Sequence, residues 1–106
     1  MSGANKILLV MDKLVTIKLL GILKNSIGKD EIVLDLNNDN YSLSDILRLL
    51  KEKYKELSIA IDESNKLKPG FIAFINDIDY MALNREKTRI RNNDTVTLMP
   101  ISHGGI

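Results

Sequence analysis

From residue 14 to residue 20 apolar and polar side chains alternate, with Val15, Ile17 and Leu19 on one face and Thr16 and Lys18 on the other. A period of two is that of a half-buried strand. Gly21 interrupts it, and residues 22–27 leave room for a short helical turn or bulged loop ending at Gly28. Residues 31–36 alternate again, Ile32, Leu34 and Leu36 set to face inward and Glu31 and Asp35 outward. The two strands are expected to form a hairpin with a long loop. Residues 37–41 are polar turn material.

A helix is predicted next. Ser42 suits an N-cap, and Asp45, three residues on, suits the first turn by capping and by the helix dipole. Leu43, Ile46, Leu47, Leu50, Tyr54 and Leu57 recur at helical spacing, with Arg48, Lys51, Glu52, Lys55 and Glu56 between them. At about 2 kcal/mol per large buried side chain, this stripe carries on the order of 10 kcal/mol of gross burial, so the helix needs a sheet to lie on. Residues 58–68 are a mixed loop and Pro69-Gly70 a turn. Residues 71–75 are apolar throughout, which predicts a strand covered in part on both faces. Asn76-Asp77 makes a tight turn, residues 78–81 a short return strand, and residues 82–91 a loop in which Leu83 and Ile90 plug the core. After a turn at 92–94, residues 95–99 form the last strand, with Val96 and Leu98 facing in.

One amphipathic helix laid across a mixed sheet of four to five strands is an α+β domain, and this order of elements is that of a β-grasp. A single helix covers one face of the sheet, so either Ile72 and Phe74 or their neighbours must turn away from it. Leu20, Val33 and Met99 fall outward on their own strands, which makes Leu20, Ile72, Phe74 and Met99 a candidate partner surface. The apolar residues 7–11 are the alternative cover for that face. The expected division is an N-terminal extension at 1–13, a folded domain at 14–99 and a flexible tail at 100–106.

Composition narrows the chemistry. Fifteen basic and 14 acidic residues leave a net charge of +1, without the strongly basic face of a nucleic-acid binder. Three Tyr, two Phe and no Trp give no stacking platform for bases. The absence of cysteine excludes disulfides, thiolate zinc sites, iron–sulfur clusters and cysteine nucleophiles. No apolar run approaches a membrane span, and the expectation is a cytoplasmic protein that engages neither membrane nor nucleic acid. No nucleophile–base pair, metal cluster or phosphate loop stands out, so an independent enzyme is not expected. Lys51, Lys53, Lys55, Lys66 and Lys68, interleaved with Glu52, Glu56, Asp62 and Glu63, are expected to form a solvated face.

The chain closes with Pro100-Ile101-Ser102-His103-Gly104-Gly105-Ile106. Glycine lacks Cβ, so paired glycines can enter a channel too narrow for any other residue. A carboxylate on such a tail can be delivered into a partner's active site. His103, the sole histidine, is expected to be solvated rather than a pH-sensitive contact.

These segments together resemble the MoaD/ThiS sulfur carriers and the related ubiquitin-like modifiers of archaea and eukaryotes. The residues that carry the resemblance are Val15-Thr16-Ile17-Lys18-Leu19-Leu20-Gly21, the helix from Ser42 through Tyr54 and Leu57, Phe74-Ile75-Asn76-Asp77, and Asn92 through Pro100. The tail matches most closely, and His103 before the glycines is similar to the ubiquitin-related modifier branch. The resemblance implies that an E1-like enzyme adenylates the glycine carboxylate with ATP. Sulfur then converts it to a thiocarboxylate for molybdopterin or thiamine synthesis or tRNA thiolation, or the activated glycine is joined to a lysine of another protein. It implies Gly105 as the activated residue, Gly104 and Pro100 through His103 as the guided tail, and no bound cofactor, since ATP is used by the partner. The implied partners are the E1-like enzyme, a sulfur acceptor such as a molybdopterin synthase large subunit, and target lysines.

The departure is Ile106, a β-branched residue after Gly105 that a channel shaped for glycine should reject. Three alternatives follow. A protease trims Ile106, an unusually tolerant enzyme activates the chain, or the protein is an interaction module that is never activated.

Overall fold

The alternating segments pair as strands of one sheet. β1 (Lys13–Leu19) and β2 (Glu31–Leu36) run antiparallel, with Thr16 opposite Val33 and Ile17 opposite Ile32. Val15, Ile17, Leu19, Ile32, Leu34 and Leu36 all turn into the core. Between the strands lies α1 (Ile22–Ile27), which ends at Gly28 in the left-handed conformation. There the Gly28 N–H meets the Lys24 carbonyl, the usual way a glycine closes a helix. The computed structural model describes residues 13–38 and 40–101. The expected extension therefore lies outside the described residues except for Lys13, which belongs to β1.

The main helix is α2 (Leu43–Lys53). Its start is the expected one. Ser42 Oγ accepts from Asp45 N–H, and the Asp45 carboxylate accepts from Ser42 N–H at 2.9 Å, which closes a capping box. Leu43, Ile46, Leu47 and Leu50 are fully buried. Its end is earlier than the apolar spacing suggests. Tyr54 is already extended, with φ −130 and ψ 96, and Leu57 reaches the core from a separate 3-10 turn at Lys55–Ile59. That turn packs against α1, a tertiary contact that outweighs the local preference to continue the helix.

β4 (Phe71–Ile75), β5 (Ile78–Asp79) and β7 (Thr95–Pro100) complete the sheet, in the order β2-β1-β7-β4-β5. β7 lies parallel to β1 and antiparallel to β4, so the sheet is mixed as expected, with α2 on one face. Asn76 and Asp77 make the β4–β5 turn at φ 50 and φ 70. Asn76 holds it through its side chain, donating to Asp94 at 2.7 Å and accepting from Thr95 N–H at 2.9 Å.

Several expectations are corrected. Tyr41 is not turn material. It forms β3 (Tyr41–Ser42) with β6 (Arg89–Ile90), a second small sheet that has no period to be seen because each strand is two residues long. The return strand stops at Asp79, whose carboxylate caps the 3-10 turn Tyr80–Ala82 by accepting from Met81 N–H. That turn carries Tyr80 into the core and leaves Leu83 40% exposed, so Leu83 is not a plug. Ile90 is one, at 0%. The last strand also runs one residue further than expected, through Pro100.

Candidate functional site

The described part of the tail begins where β7 ends, and three neighbours set its direction. Phe71 stands opposite Pro100, and one residue on Ile101 donates its N–H to the Gly70 carbonyl at 2.7 Å. The ladder with β4 therefore continues past the proline. Alternation of the ladder turns the missing N–H of Pro100 towards β1, which has already ended at Leu19. Leu20 N–H still reaches the Leu98 carbonyl at 3.1 Å, and then the chain turns away at Gly21. Gly21 has φ +62, and a Cβ there would lie 2.8 Å from Cγ of Pro100. The proline ring thus occupies the space that the missing Cβ leaves. Ile101 emerges 44% exposed between the Gly21 and Gly70 corners.

Beside this exit lies the outer face of the sheet. Ile72 stands opposite Met99 and Phe74 opposite Thr97. Leu20, next to Met99 by the parallel register, is 42% exposed. Ile72, Phe74 and Met99 are half-buried, and Ile72 also leans on the core. By register Leu20, Met99 and Ile72 therefore sit side by side at the pole where the tail leaves, with Phe74 the next outward position along β4, further from the exit. Val33 does not join them. It lies on β2, opposite Thr16, with Lys18 and Thr97 filling the row between Glu31 and Phe74. Residues 7–11 lie outside the described residues, as do Ser102, His103, Gly104, Gly105 and Ile106; of the tail, only Pro100 and Ile101 are placed.

Sequence reasoning overlooked Gly21 and Gly70 as parts of the exit. The signal was present as a glycine at each strand boundary, but nothing in the local pattern says that one corner meets Pro100 and the other Ile101.

The lysine-rich stretch has a structural use at one position. Lys51 Nζ donates to the Asp62 carbonyl at 2.6 Å and ties the loop at 58–68 to α2. The Asp62 carboxylate accepts from Ser64 N–H and Lys66 N–H at 2.8 and 3.0 Å. The bond from Lys66 is the main reason its carboxyl is held below the ordinary value of 3.8, with Ser64 and the Lys51 and Lys66 charges adding to it against partial desolvation. Tyr80 shifts the other way, its phenol raised by burial and then by the charge of Glu86. Among the described residues no three His, Cys, Asp or Glu converge as a metal site, and no helix is long and apolar enough to cross a membrane.

Comparison with known proteins places this geometry. Over 57 residues the chain is 37% identical to ubiquitin-related modifier 1 of Coccidioides immitis (strain RS), a match covering 54% of this chain and 47% of that one. The chain thus spans about half the length of that relative. It is 32% identical over 65 residues to ubiquitin-related modifier 1 of Encephalitozoon cuniculi (strain GB-M1), covering 60% of this chain and 68% of that one. Among solved structures it is similar to small archaeal modifier protein 1 from Methanosarcina acetivorans. The TM-score there is 0.73 at 22% identity, over 90% of this chain and 99% of that one, a likeness of fold. Residues 14–105 match the family model described as Urm1 (ubiquitin related modifier), and the chain belongs to that family, with the ubiquitin-like β-grasp fold of its solved neighbours.

Proposed function

We propose that this protein carries a C-terminal glycine that a partner activates in the cytoplasm. In this reading a protease removes Ile106 and exposes the Gly105 carboxylate. An E1-like enzyme joins that carboxylate to AMP, consuming ATP and releasing pyrophosphate. The mixed anhydride has AMP as a good leaving group. A persulfide on a partner displaces AMP to form an acyl disulfide. A second partner thiol then cleaves its S–S bond, leaving a thiocarboxylate on Gly105 and a disulfide on the partner. The thiocarboxylate serves an acceptor such as a molybdopterin synthase large subunit or a tRNA-thiolating enzyme. Alternatively the activated glycine is joined to a lysine of a target protein. No side chain of this protein has to act as acid, base or ligand. Its part is to present the tail and a docking surface.

The observation that carries this reading is the tail exit. Pro100 is seated on Gly21, Ile101 is tied to Gly70, and Leu20, Ile72, Phe74 and Met99 lie alongside. A partner seated on those residues would have the tail leave beside it, where the seating of Pro100 on Gly21 and the bond from Ile101 to Gly70 set its direction. Ile106 itself favours a second reading, an interaction module that uses the same surface and is never adenylated.

Intact-mass analysis with fragmentation of the tail, on protein recovered from its native cells, separates the two. A species ending at Gly105, as a thiocarboxylate or as an isopeptide remnant on lysines, is the expected result. A population ending only at Ile106, unchanged by the activating enzyme with ATP, would sink the carrier reading and leave the module. Full cellular function in a Gly105→Ala strain would do the same.

A further inference from the structure

β2 is the long edge of the sheet. It pairs with β1 along its whole length, and no described strand lies on its other side. Leu19 N–H donates to the Asp30 carbonyl at 2.9 Å, which sets the phase of the ladder. The hydrogen-bonded pairs then fall at Ile17 with Ile32, Val15 with Leu34 and Lys13 with Leu36. By alternation the N–H and C=O groups of Glu31, Val33 and Asp35 point away from β1, free to take another strand.

The side chains of these three residues lie together on the outer face, all exposed, with Val33 at 54% between two carboxylates. This charge pattern discriminates among occupants. If two copies of the protein paired antiparallel through β2 in full register, Val33 would meet Val33 and Glu31 would meet Asp35. Like charges directly opposite oppose such pairing. A strand with a basic residue at each end of an aliphatic one would meet the same edge with both charges matched. Lys18 faces Glu31 across the β1 ladder and offsets part of its charge, whereas Asp35 faces Leu14, so Asp35 weighs more in the discrimination.

We infer that the β2 edge is a strand-addition site for an extended segment of another protein with the pattern basic–x–aliphatic–x–basic. The backbone of Glu31, Val33 and Asp35 supplies the hydrogen bonds, and the two carboxylates select the sequence. β2 is separated from β7 by β1, so this partner can be held while the tail exit is occupied by another. The inference is independent of whether Gly105 is activated.

The test uses the full chain and two capped peptides, Lys-Val-Ile-Val-Lys and Glu-Val-Ile-Val-Glu, each with flanking glycines. Amide exchange and chemical shifts are followed by NMR at low salt. The lysine peptide is expected to protect the amides of Glu31, Val33 and Asp35 and to bind about tenfold more tightly than the glutamate peptide, the size expected of two cross-strand charge pairs. Raised salt should erase the difference, and the double variant Glu31→Lys/Asp35→Lys should reverse it. Three results overturn the inference. One is no binding of either peptide, and another is an equal response to both. The third is protection of these amides before any peptide is added, whether by a second copy or by residues 1–12.

Discussion

Cγ of Pro100 occupies the place where a side chain on Gly21 would begin, 2.8 Å from the position of its Cβ. The two residues are 79 positions apart, the difference between 100 and 21; Gly21 lies just past the end of β1 and Pro100 ends β7, two strands that run side by side. Gly21 also has φ +62 with ψ −136, a conformation that side chains resist.

Gly21→Ala is therefore expected to lose about 2–4 kcal/mol, the sum of backbone strain and overpacking against the proline ring. Gly28→Ala, at φ +80 with nothing within 4 Å of its Cβ, should lose only the backbone part, about 1–2 kcal/mol. Urea denaturation of both variants checks this. Equal losses would mean that the contact with Pro100 costs nothing.

The capping box gives a second expectation. Ser42→Ala removes the acceptor for Asp45 N–H and should lower stability by about 1 kcal/mol, with faster amide exchange at Asp45. Ser42→Thr should recover most of the loss. A loss confined to amides outside the first turn of α2 would point to the β3–β6 pairing instead.

Acid stability should depend on Asp62. Its folded pKa lies below the ordinary value of 3.8, so the unfolded state binds the proton first as pH falls. The stability this carboxylate contributes is fully present above about pH 4 and is lost as pH drops through the folded value. Asp62→Asn should flatten that part of the profile. The readouts are thermal midpoints between pH 6 and pH 2 and an NMR titration of the carboxyl carbon. A midpoint at or above 3.8 would contradict the role given to the Lys66 and Ser64 amides.

The tail-exit surface has its own test. Leu20→Glu with Met99→Glu should leave the thermal midpoint within a few degrees, since Leu20 is exposed and Met99 only half-buried. In the proposed carrier reading, activation of the C-terminus by an E1-like enzyme should then fall about tenfold or more, as for loss of a buried interface anchor. Unchanged activation would place the partner elsewhere. Leu47→Ala supplies the structural contrast: a fully buried residue of α2, it should cost about 2–5 kcal/mol and lower activation only through unfolding.

Much of this protein was legible because its long elements carry their own period. Val15, Ile17 and Leu19, then Ile32, Leu34 and Leu36, announce strands with one buried face, and the stripe from Leu43 to Leu50 announces a helix capped by Ser42. The open face of the sheet followed from there being one such helix. The two-residue strands at Tyr41 and Arg89 stayed hidden, as did the break at Tyr54, because each exists only through a contact distant in sequence. Leu83 was misjudged because an apolar side chain does not say whether Tyr80, three residues earlier, has already taken the space.

Local order, the inward faces and the Gly-Gly tail belong to the sequence alone, since period, capping and the lack of a Cβ act over a few residues. The tertiary structure decided which strand ends meet. It set Gly21 against Pro100 and Gly70 against Ile101, lined up Leu20, Met99, Ile72 and Phe74 on the outer face, and set Val33 apart on an edge with Glu31 and Asp35. Such meetings depend on strand order and register, which are fixed by burying the whole core at once and leave no mark on any single segment.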